Sequence, residues 1–77
     1  MDKQKLHGKI VEKYGTQGKF AKEVLGISST HLSVKIAGDS WSLSQIAKTA
    51  DALGLTPGEI YDIFFADEVG KYLNQQA

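Results

Sequence analysis

Thr16-Gln17-Gly18-Lys19-Phe20-Ala21-Lys22-Glu23-Val24-Leu25-Gly26-Ile27-Ser28-Ser29-Thr30-His31-Leu32-Ser33-Val34-Lys35-Ile36-Ala37-Gly38 is the run that decides the fold. Phe20, Ala21, Val24 and Leu25 fall at helical spacing before Gly26, and Leu32 with Ile36 resumes that spacing after it. The run therefore reads as two short helices joined by a glycine turn. Ser28 stands where a side-chain oxygen can accept from the free amides of the second helix's first turn.

The same punctuation extends outward. Gly15, Gly26, Gly38 and Gly54 each follow an apolar-periodic stretch, where glycine can take the left-handed conformation that ends a helix. Thr16, Ser28, Ser42 and Thr56 each precede the next stretch as candidate caps. Three starts also carry an apolar residue before the cap and another four positions into the helix: Ile27 with Leu32, Trp41 with Ile46, Leu55 with Ile60. Ser42 to Gln45 and Thr56 to Glu59 have capping-box spacing, and Pro57 occupies the favoured first helical position. Five helices follow. The first, roughly residues 3 to 14, presents Leu6, Ile10 and Tyr14, with Val11 widening the stripe. The fourth offers Leu43, Ile46, Ala47, Ala50 and Leu53, and the fifth Ile60, Ile63 and Phe64. No stretch alternates over strand length, so the expected fold is all-α: a five-helix domain over residues 1–66. Residues 67–77 form a C-terminal tail, partly ordered or a short helix, because Gly70 interrupts the pattern of Val69, Tyr72 and Leu73.

Composition bounds the chemistry. Seventy-seven residues allow one domain with a small core. The absence of cysteine excludes a disulfide framework, a thiol nucleophile and a cysteine-ligated metal. No apolar run reaches the ~18 residues of a membrane span, and no signal-peptide pattern opens the chain. A soluble, unprocessed protein with no membrane partner is expected. Net charge is zero, yet residues 1–38 hold seven lysines against three acids, while residues 39–77 hold two lysines against six. The basic half contains the glycine-turn run, which directs attention to nucleic acid.

Two helices at this spacing are the layout of a helix-turn-helix, whose second helix enters the major groove with small polar residues on its leading face. That face carries Ser29, Thr30, Ser33 and Val34, flanked by His31 and Lys35. Hydroxyls reach several base edges and valine methyls pack on a thymine methyl, but the chain has no arginine for bidentate guanine readout. Ahead of the turn, Gly18 is a poor helix former and Lys19 puts positive charge at the positive end of a helix dipole. With Gln17 they either clamp a phosphate, with Lys22 and Lys35 as secondary charge contacts, or form a plain solvated helix start. His7 and His31 lack ligand-spaced companions, so no metal is expected. The hydroxyls near His31 lack an acid to orient its imidazole, so neither catalysis nor a cofactor is expected. Trp41 reads as a core or staple residue. Phe64 and Phe65 cannot share one helix face; an exposed Phe65 beside Val69, Tyr72 and Leu73 is either a partner contact or simple core closure.

The residues Gln17, Phe20-Ala21, Leu25-Gly26-Ile27-Ser28, Leu32-Ser33, Lys35-Ile36 and Gly38, then Ile46 and Leu53-Gly54-Leu55, resemble the lambda-repressor-like (Cro/C1-type) helix-turn-helix family. Lys13-Tyr14-Gly15 before the run and Ile60-Tyr61-Asp62-Ile63-Phe64-Phe65 after it are similar to small single-domain phage and prophage regulators. The resemblance spans about residues 5 to 65. It implies a transcriptional regulator in the cytoplasm of a bacterial host, binding double-stranded operator DNA, often as a homodimer; some small phage members instead bind a partner phage repressor and modulate it. It places the phosphate-contacting glutamine on Gln17, the recognition-helix cap on Ser28, and the base-facing positions on Ser29, Thr30, Ser33 and Val34. One departure stands out. The family sets its turn glycine four residues after the first helix's alanine, whereas Ala21 to Gly26 is a step of five. The extra residue, within Val24-Leu25, has to be absorbed as a longer turn or a local bulge.

Overall fold

Five side chains set the helix starts. Asp2 accepts from the Lys5 amide at 3.0 Å, Thr16 from Lys19 at 3.2 Å, Ser28 from His31 at 3.0 Å, Ser42 from Gln45 at 3.2 Å and Thr56 from Glu59 at 3.2 Å. A computed structural model describes residues 1–38 and 41–66, and the caps open five helices: α1 (Lys3–Tyr14), α2 (Gln17–Phe20, running on without a break into Ala21–Leu25), α3 (Ser29–Gly38), α4 (Leu43–Leu53) and α5 (Pro57–Phe64). There is no strand among the described residues. Both expected capping boxes form: Gln45 Oε1 accepts from the Ser42 amide at 3.1 Å, and Glu59 Oε1 from the Thr56 amide at 2.9 Å. The expected tail, with Val69, Tyr72 and Leu73, lies outside the described residues.

Leu6, Ile10, Phe20, Leu32 and Ile63 are wholly enclosed, one or more from each of α1, α2, α3 and α5, with Leu53 of α4, Ile36 and Phe64 closing around them. Burying each such side chain stabilises the fold by roughly 1.5–3 kcal/mol, against about 1 kcal/mol for a cap. The core therefore holds the helices together, and the caps decide where they begin. Tyr14 meets Phe20 edge-on at 5.4 Å, and Trp41 meets Phe64 in the same way at 5.3 Å. Met1 also packs into the core, and the Asp2 amide donates to the Ile63 carbonyl at 2.7 Å, so the start of the chain is held against α5.

Three expectations need correction, and one open alternative is decided. Val11 does not widen the buried stripe of α1; it is exposed. Leu43 is 80% exposed and Ala47 is exposed, while Thr49 occupies the interior on the opposite flank of the α4 stripe. Gly15, Gly26 and Gly54 have the positive φ expected of helix-ending glycines, but Gly38 does not: it is the last helical residue of α3. Of the two ways to absorb the extra residue before Gly26, the structure shows the local bulge and not a longer turn. Ala21–Leu25 winds as a π-helix, with the Gly26 and Ile27 amides both donating to the Ala21 carbonyl. A π turn takes up one more residue than an α turn. Ala21 thus stays fully buried, Val24 and Leu25 both reach the core, and Gly26 still closes the helix at φ 66°. Among the described residues no helix is long and apolar enough to cross a membrane.

Candidate nucleic-acid interface

α3 is anchored from behind by Leu32 and Ile36, which leaves most of its remaining side chains outward. Ser29, Thr30, His31, Ser33 and Val34 are all exposed, and Val34 keeps 65% of its surface accessible. Two of the hydroxyls on this helix already have local bonds. Ser28 caps the helix by accepting from His31, and Ser33 Oγ donates to the Ser29 carbonyl at 3.1 Å. A serine oxygen bonded in this way can still accept from a donor on a base edge.

α2 meets the first turn of α3 at Gly18. A Cβ at this position would lie 3.5 Å from the Ser29 Cβ, ordinary van der Waals contact, so the two helices approach closely just where α3 begins. Gln17 and Lys19 flank this contact in sequence. Lys19 and Lys22 are exposed. The Lys19 amide is held by the Thr16 cap, so a phosphate clamp here would rest on side chains and not on that amide. Lys35 is half-buried, with its ammonium 5.9 Å from the centre of the Trp41 ring, and has to leave that cation–π contact to reach a phosphate.

Gln17 has a partner that its sequence context does not suggest. Its Nε2 donates to Nδ1 of His7 on α1 at 2.8 Å. His7 lies ten residues upstream on another helix, and neither a metal-ligand nor a catalytic spacing singles it out. Only the approach of α1 to α2, set by Leu6, Ile10, Tyr14 and Phe20, puts the two side chains together.

The basic half of the sequence is only partly available as a surface. Lys5 pairs with Asp62 at 3.2 Å and Lys9 with Glu59 at 2.6 Å, both across α1 and α5, and the Lys3 ammonium donates to the Ala37 carbonyl at 3.5 Å. The hydrogen bond from Lys9 holds the Glu59 carboxyl down to about 2, helped by the Thr56 amide. The same hydrogen bond raises the Lys9 ammonium above its usual range. Elsewhere, Pro57, Ile60, Tyr61 and Phe65 line an open apolar hollow of about 320 Å³, with Tyr61 61% exposed and its ring 5.8 Å from that of Phe65. Among the described residues no three His, Asp or Glu side chains gather closely enough to hold a metal ion.

A family model described as a protein of unknown function (DUF739) matches residues 1–67. No curated protein and no solved structure matches the chain.

Proposed function

The chain belongs to the DUF739 family, and from the interface itself we propose that it is a sequence-specific, double-stranded-DNA-binding transcriptional regulator of the Cro-like helix-turn-helix type. The observation that carries this reading is the outward face of α3: a helix pinned by Leu32 and Ile36 that offers Ser29, Thr30, Ser33 and Val34, with Gly18, flanked in sequence by Gln17 and Lys19, against its first turn. Short polar side chains on a rigid helix suit the major groove, where base edges can be told apart. In this reading Gln17, Lys19 and Lys22 engage the backbone, and Lys35 joins them on leaving Trp41. Two copies on a two-fold symmetric operator fit a protein of this size.

Titration of labelled duplexes from the DNA flanking its own gene tests this reading. Affinity is expected to fall with salt by roughly 0.9 log units per log unit for each phosphate engaged, and Lys19→Ala to flatten that slope by about one phosphate. Salt-independent binding, or no binding at low ionic strength, overturns it.

A second reading is favoured by the hollow around Tyr61 and Phe65, the zero net charge and the absence of arginine. In it the protein binds another regulator, such as a phage repressor, through α5 and the residues after it, Val69, Tyr72 and Leu73 among them. Co-purification with the repressor supports this reading, and its failure removes it.

A further inference from the structure

We propose that His7 of α1 is a positioning residue of the nucleic-acid interface, acting through Gln17; this rests on the DNA-binding reading above. An amide nitrogen can only donate, so in the 2.8 Å bond between Gln17 Nε2 and His7 Nδ1 the ring nitrogen accepts. The bond takes one of the two N–H groups of the amide. It leaves the second N–H and Oε1 free of His7, on a side chain whose neighbour in sequence, Gly18, abuts Ser29 at the start of α3. A glutamine side chain otherwise turns freely about three bonds and has to be ordered when it grips a phosphate. Ordering it beforehand lowers the cost of binding.

The bond is not what holds α1 to α2. Leu6, Ile10 and Phe20 are fully enclosed between these helices, and Tyr14 stacks edge-on against Phe20, whereas His7 is exposed. Removing its acceptor leaves that packing untouched and releases the Gln17 amide. The role belongs to Nδ1 as an acceptor and not to the ring as a charge, so a side chain with an oxygen in the same place can replace it. Asparagine Oδ1 is such an atom.

Duplex affinity and its salt slope, measured for the wild type, His7→Leu, His7→Asn, Gln17→Ala and the His7→Leu/Gln17→Ala pair, test the proposal, with thermal melting as the check on folding. His7→Leu is expected to weaken binding by about fivefold at an unchanged salt slope and unchanged melting midpoint. His7→Asn should bind within about twofold of the wild type, and His7→Leu should cost nothing further once Gln17 is alanine. Additive losses in the double variant, a His7→Asn protein as weak as His7→Leu, or full affinity in His7→Leu each overturn the positioning role and leave the DNA reading standing. A reduced salt slope in His7→Leu also overturns it, because His7 would then contact phosphate as a cation. A wild-type protein that binds no duplex overturns both.

Discussion

Thr49 is wholly enclosed in α4, and its hydroxyl has no hydrogen-bond partner among the described residues. An unpaired buried hydroxyl costs about 1–3 kcal/mol, because the water it bonded in the unfolded chain is not replaced. Valine puts a methyl group in the same space, and its helix propensity is close to that of threonine. Thr49→Val is therefore expected to stabilise the protein by about 1 kcal/mol and to raise the melting midpoint by roughly 4–8 °C, read by circular dichroism. A midpoint that stays or falls would mean that the hydroxyl bonds within the fold. Thr49 also shows where hydropathy misleads. Ile46, Ala50 and Leu53 form the centre of the α4 stripe, with Leu43 and Ala47 on one flank and Thr49 on the other. The pattern favours the flank with the apolar residues. Which flank is covered, however, depends on where the neighbouring helices lie, and they lie over Thr49.

Helix boundaries were the most readable elements of this chain, because caps and helix-ending glycines act over three or four residues. Thr16, Ser28, Ser42 and Thr56 all cap as their spacing suggests, and both capping boxes close. The irregular element was half readable. The step of five from Ala21 to Gly26 required an extra residue to be taken up somewhere. As a π turn it leaves Ala21 buried while Val24 and Leu25 both reach the core. Contacts between distant residues were not readable at all, and the clearest cases are His7 with Gln17 and the two ion pairs from α1 to α5. Glu59 links the two scales: one carboxylate oxygen closes the cap of α5 and the other holds Lys9 of α1. Its carboxyl titrates near 2, below its ordinary 4.5. A carboxyl depressed by folding contributes stability that is complete above its unfolded value and is lost as the pH falls through its folded one. The melting midpoint of the wild type is thus expected to drop as the pH falls from about 4.5 to about 2. Glu59→Gln should melt lower at neutral pH, decline less over that window, and converge with the wild type at its acid end. Parallel curves would show that the carboxylate contributes nothing specific.

For the molecule as a whole, the division into a basic first half and an acidic second half is partly matched inside the fold. Lys5 and Lys9 face Asp62 and Glu59, so part of the positive charge is matched internally along the α1–α5 contact, while Lys19 and Lys22 remain outward on the α2 side. Asp62 and Glu59 are the acids matched where α1 meets α5. A count of charges along the sequence gives every lysine equal weight for DNA, whereas the folded arrangement separates two groups of them. Only lysines that meet phosphates release condensed counterions, and the salt slope counts those contacts. Lys5→Ala and Lys9→Ala, assayed well below their melting midpoints, are therefore expected to leave the slope of log affinity against log salt unchanged, although Lys9→Ala lowers the melting midpoint. Lys19→Ala should reduce the slope by about 0.9 while leaving stability as it was. If Lys5→Ala or Lys9→Ala flattens the slope as much as Lys19→Ala does, then α1 lies against the backbone and its ion pairs open on binding. The interface would then have to be redrawn around α1 and α5.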